Sequence, residues 1–195
     1  MRCNNPMQEP TAYDVKKILE ETPHTTFLTC SRRAETKLNR WAVEALFANS
    51  NPLDKLPLDL GDDTKFDPEV SPIYKGMRIT LTKNLQKDVG FVNGMGAVVL
   101  GMGRSGVFVR TDQDRVLMVH PWTNEKYVTV YPFRLGYAST LHKVQGATLR
   151  HITVWLDIAN LPASAYVALS RVQRDVDWQY IGDPGRHHFT PARFD

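Results

Sequence analysis

Nowhere in the 195 residues is there a Gly-x-x-x-x-Gly-Lys-Ser/Thr loop, or even a Gly-Lys dipeptide. Such a loop cradles nucleotide phosphates with backbone amides and a lysine. Its absence predicts a chain that assists phosphate chemistry without holding a nucleotide alone. Cysteine is scarce: Cys3 and Cys30 cannot make a disulfide framework. No apolar run approaches the ~18 residues of a membrane span, and no secretory signal is recognisable. The expectation is an intracellular, soluble protein with no membrane partner. His187-His188 lacks cysteines or carboxylates at ligand spacing, so no metal site is predicted.

What is present is ordinary globular material, 42% hydrophobic and 23% charged, enough for one core or a core plus a small module. The charge is uneven. Residues 1–75 carry 10 basic and 12 acidic residues, and residues 76–195 carry 14 and 9. A basic C-terminal part fits a polyanion partner, although surface composition alone explains it equally well.

Thr11-Ala-Tyr-Asp14 has the spacing of a capping box, and Val15, Ile18 and Leu19 follow at helical intervals up to Pro23. Thr25–Cys30 is strand-like. A helix is predicted over about 32–48, with Ser31 as its N-cap and Leu38, Trp41, Ala42, Ala45 and Leu46 as its apolar stripe. Residues 49–75, with Pro52, Pro57, Pro68 and Pro72 among aspartates, predict a surface connection, and the acidic 59–69 stretch a solvated one. Short apolar runs between Gly, Asn and Asp turns make 76–131 all-β, a small twisted barrel. From there strands alternate with a helix: Arg134–Thr140, Ile152–Leu156, a helix over about 163–172, and Trp178–Ile181. That alternation implies a parallel sheet. The expected division is therefore 1–75 and 132–195 as two parts of one α/β domain, interrupted by the barrel at 76–131, with an irregular tail over 183–195.

In parallel α/β sheets, ligands gather beyond the carboxyl ends of the strands. Tyr137-Ala-Ser-Thr-Leu-His-Lys-Val-Gln-Gly146 leaves a strand there, as does Ser31-Arg32-Arg33, and Ala165-Tyr-Val-Ala-Leu-Ser-Arg171 ends a helical segment in an arginine. Guanidinium groups so placed suit phosphoryl transfer, where charge spreads over the γ-phosphate oxygens.

These motifs resemble those of superfamily-one, 5′-to-3′ DNA helicases of the RecD/Pif type. Thr140–Gly146 resembles the fifth helicase motif and Ala165–Arg171 the sixth. Phe27–Arg33 sits where a looser fourth would lie. Gly76–Leu85 with Val92-Asn-Gly94 resembles the opening of the family's inserted β-barrel. The likeness covers about residues 25–182. It implies a RecA-like parallel sheet flanked by helices and interrupted by the barrel: the second of two motor domains. In this family the first domain supplies the phosphate loop and the acidic magnesium residues. This chain has neither, as no Asp-Glu pair follows an apolar strand. The resemblance further implies that Arg171 reaches the γ-phosphate and that Gln145 and Gly146 lie near the nucleotide. Thr140, His142 and Lys143 would lie against the DNA backbone. Arg32 or Arg33 would be a second nucleotide contact, with no choice between them. ATP and Mg²⁺ would bind only with a first RecA-like domain, present in cis or in trans, and single-stranded DNA would be the other partner. The isolated chain would be inactive.

Other readings compete. Arg171 could pair with Asp175, His142 could cap or pack, and Lys143 could be a solvated charge. Phe91, Trp122, Tyr127 and Tyr131 could stack on bases, but core packing is favoured. At the level of the whole chain, the alternatives are a stand-alone single-strand-binding module derived from a helicase and a regulator that offers Arg171 to a separate ATPase.

Overall fold

A computed structural model describes residues 9–59, 69–85, 88, 91–125, 127–158, 161–182 and 185–191. In chain order its elements are α1 (Ala12–Glu21), β1 (Thr26–Thr29), α2 (Arg32–Phe47), β2 (Asp54–Leu58), β3 (Glu69–Ile73), β4 (Arg78–Leu81), β5 (Gly96–Met102), β6 (Val107–Thr111) and β7 (Val116–Val119). There follow β8 (Trp122–Thr123), β9 (Thr129–Val130), β10 (Phe133–Leu135), β11 (Ala138–Thr140), β12 (Ile152–Trp155), α3 (Ser164–Leu169) and β13 (Trp178–Tyr180). Two compact units result: Met1–Leu46 with Tyr137–Asp195, and Phe47–Gly136.

The first unit is α/β. Its four strands run parallel in the order β11-β1-β12-β13. Phe27, Leu28, Ile152, Thr153 and Val154 are all fully buried, a continuous run that marks strands covered on both faces. On one face Leu28, Ile152, Val154 and Leu156 pack with Ala165 and Ala168 of α3. Burying a leucine such as Leu28 contributes about 1.5–3 kcal/mol. At the amino end of the sheet, the buried Thr25 and Thr153 hydroxyls are 2.8 Å apart, and Gln179 Nε2 donates to Thr153 Oγ1 at 3.0 Å. Partners inside the fold offset the cost of burying those hydroxyls. The start of α1 is as expected: the Asp14 amide donates to Thr11 Oγ1, and the Asp14 carboxylate accepts from the Thr11 amide.

The second unit is all-β. Five antiparallel strands lie in the order β10-β4-β5-β6-β7, with a register shift between Val99 and Gly101. Along β6, Val107, Val109 and Thr111 are buried while Phe108 and Arg110 are exposed, the alternation of a sheet with one inner face. Ile79, Leu81, Val99, Val119 and Phe133 complete that face.

Two local expectations change. The predicted connection over 49–75 contains the antiparallel ribbon β2–β3, which belongs to the β unit; residues 60–68 of its acidic stretch lie outside the described ones. Pro57 and Pro72 sit within that ribbon, opposite Val70 and Lys55. At Pro57 the missing amide falls on the side away from β3, where the Pro57 carbonyl accepts from the Tyr131 amide at 2.8 Å. The single predicted strand Arg134–Thr140 is two, split at Gly136. There β10 pairs antiparallel with β4, whereas β11 pairs parallel with β1. A Cβ at Gly136 would stand 2.8 Å from the Ile79 carbonyl carbon, so only glycine passes at this switch. In the tail, Arg186–Phe189 forms a 3₁₀ turn that buries His188, whose Nε2 lies 3.1 Å from the Ile158 carbonyl oxygen.

Candidate functional site

Strand register sets the floor of the site. Thr29 of β1 is aligned with Thr140 of β11 on one side and Trp155 of β12 on the other. The segments beginning at Cys30, Leu141 and Leu156 therefore leave the sheet at one carboxyl edge. The first turns straight into α2, where Ser31 Oγ accepts from the Ala34 amide at 3.2 Å. Asp157 ties two of these exits together, its Oδ1 accepting from the Cys30 amide at 2.7 Å and the Ser31 amide at 3.2 Å. Burial, then the Asp157 charge, pushes the Cys30 thiol up to about 11. It stays protonated at neutral pH and is no nucleophile.

The second exit forms the 3₁₀ turn Leu141–Val144. Leu141 and Val144 face the core, packing with Leu28, Ile152 and Ala165. That leaves His142, Lys143, Gln145 and Gly146 exposed. Gly146 has φ +80°, and a Cβ there would meet nothing within 4 Å. Glycine is thus favoured by backbone conformation rather than by space.

Arg171 lies over this turn. Its Nη1 is 3.4 Å from both the Val144 and Ala147 carbonyl oxygens, which bracket Gln145 and Gly146. Nε and Nη2 donate to Ser170 Oγ at 3.2 and 2.8 Å, and the Arg171 carbonyl accepts from the Leu149 amide at 2.7 Å. Among the described residues it makes no ion pair with Asp175. The contacts to the turn exceed the usual 2.7–3.2 Å range and are weak. They aim the guanidinium without using up its donors.

Lys143 is engaged differently. Its Nζ donates to both carboxylate oxygens of Glu35, at 2.9 and 2.8 Å, and the two side chains are 24% and 7% exposed. An anion inside the fold thus holds the Lys143 ammonium. Unpairing a buried carboxylate costs about 3–5 kcal/mol, more than one exposed ion contact returns. One helical turn further along α2, Asn39 Oδ1 accepts from the Tyr137 and Ala138 amides at 3.0 and 2.9 Å, and its Nδ2 donates to the Ala138 carbonyl at 3.1 Å.

Of the predicted residues, Thr140 is buried at the end of β11, and Arg32 and Arg33 stand exposed on the first turn of α2. Among the described residues neither arginine has an ion-pair partner. Sequence reasoning missed Glu35, Asn39 and Asp157. For the first two, a signal existed: they share a helix face with Leu38 and Ala42, and a polar residue on an apolar stripe asks for a partner.

In the β unit, Phe91 and Tyr131 are core residues, and Lys83 Nζ lies 4.5 Å from the Trp122 ring centroid. Tyr127 is instead 90% exposed with φ +60°. Core packing thus holds for two of the four aromatics and fails for Tyr127.

No family model matches the chain. Among curated proteins, the ATP-dependent DNA helicase PIF1 of Mus musculus is 31% identical over 168 residues, covering 71% of this chain and 25% of its own length. The ATP-dependent DNA helicase Pif1 of Bdellovibrio bacteriovorus is 34% identical over 103 residues, covering 47% of this chain and 23% of its own length. The homologues of this chain are Pif1 helicases. Solved Pif1 structures share its fold. Bacteroides Pif1 bound to single-stranded DNA superposes with a TM-score of 0.67 at 20% identity, over 93% of this chain and 48% of that one. Candida albicans Pif1 does so with a TM-score of 0.67 at 20% identity, over 95% and 52%. The chain spans about a quarter of the curated Pif1 relatives and about half of the solved chains. No helix among the described residues is long and apolar enough to cross a membrane.

Proposed function

We propose that this chain acts as the second motor domain of an ATP-dependent, 5′-to-3′ DNA helicase inside the cell. In this reading Arg171 supplies positive charge to the γ-phosphate, Gln145 and Gly146 border the nucleotide, and Arg32 or Arg33 adds a second cation. His142 and the backbone of the 141–146 turn face single-stranded DNA, with the buried Thr140 at the strand end behind them. The placement of Arg171 against the carbonyls on either side of Gln145-Gly146 carries the proposal. A planar, multiply donating cation fixed beside a strand-exit turn is what stabilising a transferring phosphoryl group requires. The exposed side chains of the turn itself include no carboxylate, which fits phosphates. Among the described residues no carboxylate, histidine or cysteine cluster could hold a metal ion. ATP and Mg²⁺ then belong to a composite site completed by a first RecA-like domain, in the same chain or another.

Phosphate release measured with single-stranded DNA tests this. The 195 residues alone should show no DNA-stimulated turnover, and joining them to a first RecA-like domain should restore it. Turnover of ~1 s⁻¹ or more by the isolated chain, the lower end of ordinary enzyme rates, would refute the half-motor reading.

A further inference from the structure

We infer that Glu35 is a positioning residue that holds the 141–146 turn through Lys143, and that Lys143 acts on nucleic acid through this turn rather than by contacting phosphate itself. The inference rests on the reading above that the turn faces single-stranded DNA.

Several observations converge on α2. Glu35 is nearly inaccessible, and both of its carboxylate oxygens accept from the Lys143 ammonium. Asn39, on the same face four residues on, binds the backbone of Tyr137 and Ala138. One helix face therefore grips the β11 segment at its start and the turn just past its end. The turn is also pinned from below by Leu141 and Val144 and touched by Arg171 at Val144 and Ala147. His142 and Gln145, on either side of these anchors, are left to solvent. Were Lys143 to swing out to a phosphate, Glu35 would remain as a buried, uncompensated charge. The pair also links α2, whose first turn carries Arg32 and Arg33, to the strand exit expected to face DNA.

Two measurements on the 195-residue chain test this, using Glu35→Ala, Glu35→Gln, Lys143→Ala and the Glu35→Ala/Lys143→Ala double variant. Glu35→Gln keeps the shape and one acceptor should the alanine variant fail to fold. The first measurement is amide hydrogen exchange without DNA. Exchange over 141–147 should become about tenfold faster in Glu35→Ala and Lys143→Ala alike, no faster in the double variant, and intermediate in Glu35→Gln. Protection of β1 and β12 should not change. The second is single-strand affinity against salt concentration. Either alanine variant should weaken binding and leave the slope of log affinity against log salt as it was. A direct phosphate contact predicts otherwise: Lys143→Ala lowers that slope by about 0.7, and Glu35→Ala, by freeing the ammonium, tightens binding. That pattern, or additive effects on exchange, overturns the inference. If the unaltered chain binds no single-stranded DNA, the functional reading fails, and the exchange measurement alone decides whether Glu35 positions the turn.

Discussion

The Arg171 Nη1 atom lies 3.4 Å from the Val144 carbonyl oxygen, so the arginine ending one motif rests on the turn ending the other. The two residues are 27 apart in sequence, and the parallel pairing of β1 with β11 and β12 sets the edge at which they meet. Val144 is buried in the core cluster and cannot drift. The guanidinium thereby inherits a fixed reference point.

Arg171→Ala should abolish turnover in a protein that also contains a first RecA-like domain. Comparable arginines contribute roughly 10³–10⁵ in rate. Nucleotide affinity should fall far less, because the interaction strengthens as charge develops in the transition state. Arg171→Lys should also fail, since a point charge cannot bond Ser170 and a phosphate as a planar fork does. Single-turnover hydrolysis beside equilibrium nucleotide binding separates these effects. Near-normal turnover in Arg171→Ala would remove Arg171 from the chemistry.

Stability should depend on pH through His151. Burial, then the neighbouring His24, holds its imidazole below the ordinary 6.5, while Asp177 pulls the other way. Its Nδ1 lies 2.8 Å from Thr25 Oγ1. The fold favours the neutral ring, so the full contribution is present above pH 6.5. As pH falls through that value, the unfolded chain takes up a proton that the folded chain resists, and stability drops until the folded imidazole also protonates. Asp177 acts in a separate, more acidic window. Its hydrogen bond from Arg174 lowers its pKa from 3.8, giving a contribution present above that value and lost below it. Urea midpoints measured from about pH 8 to about pH 5 should fall, and His151→Gln should flatten that fall. An unaltered pH profile in the variant would exclude His151 as the source.

Asn39→Ala should destabilise the α/β unit by about 2–4 kcal/mol, because it strands two amides and a carbonyl in a buried place. The three bonds are 2.9–3.1 Å long, and Asn39 is 6% exposed. Asn39→Asp should also destabilise, losing the Nδ2 donor and burying a charge. Chemical denaturation gives the difference directly. A loss under about 0.5 kcal/mol, the range of ordinary surface changes, would mean that water replaces the side chain.

Much of this was legible in the sequence, and the exceptions share a cause. The Thr11–Asp14 capping box, the helix after Ser31 and the strand–helix alternation after 131 are local signals, and the elements formed where those signals stand. Pro57 and Pro72 argued against strands because sequence cannot show that each would occupy a two-stranded ribbon. The apolar run Arg134–Thr140 hid a change of sheet, since its pattern is the same on both sides of Gly136. Lys143 looked like a free cation because its partner, Glu35, lies 108 residues away. Motif spacing pointed to the strand exits, but not to which charges there were already neutralised.

The tip of the β8–β9 hairpin supplies the last test. Asn124 donates its amide to the Val128 carbonyl and accepts from the Tyr127 amide, both at 3.0 Å, and its Oδ1 accepts from the Val128 amide at 2.9 Å. This tight turn requires a left-handed residue at position 127, and a tyrosine occupies it with φ +60°. A side chain in that region costs about 1–2 kcal/mol relative to glycine, and at 90% exposure Tyr127 recovers little of this by packing. Tyr127→Gly should therefore stabilise the protein, by about 1 kcal/mol or less once the greater freedom of glycine in the unfolded chain is counted. Tyr127→Val should destabilise it, because a β-branched side chain tolerates positive φ worst. Thermal or urea unfolding of the two variants gives opposite shifts on this account. If glycine destabilises as much as valine, the phenol ring contributes packing that outweighs its backbone strain.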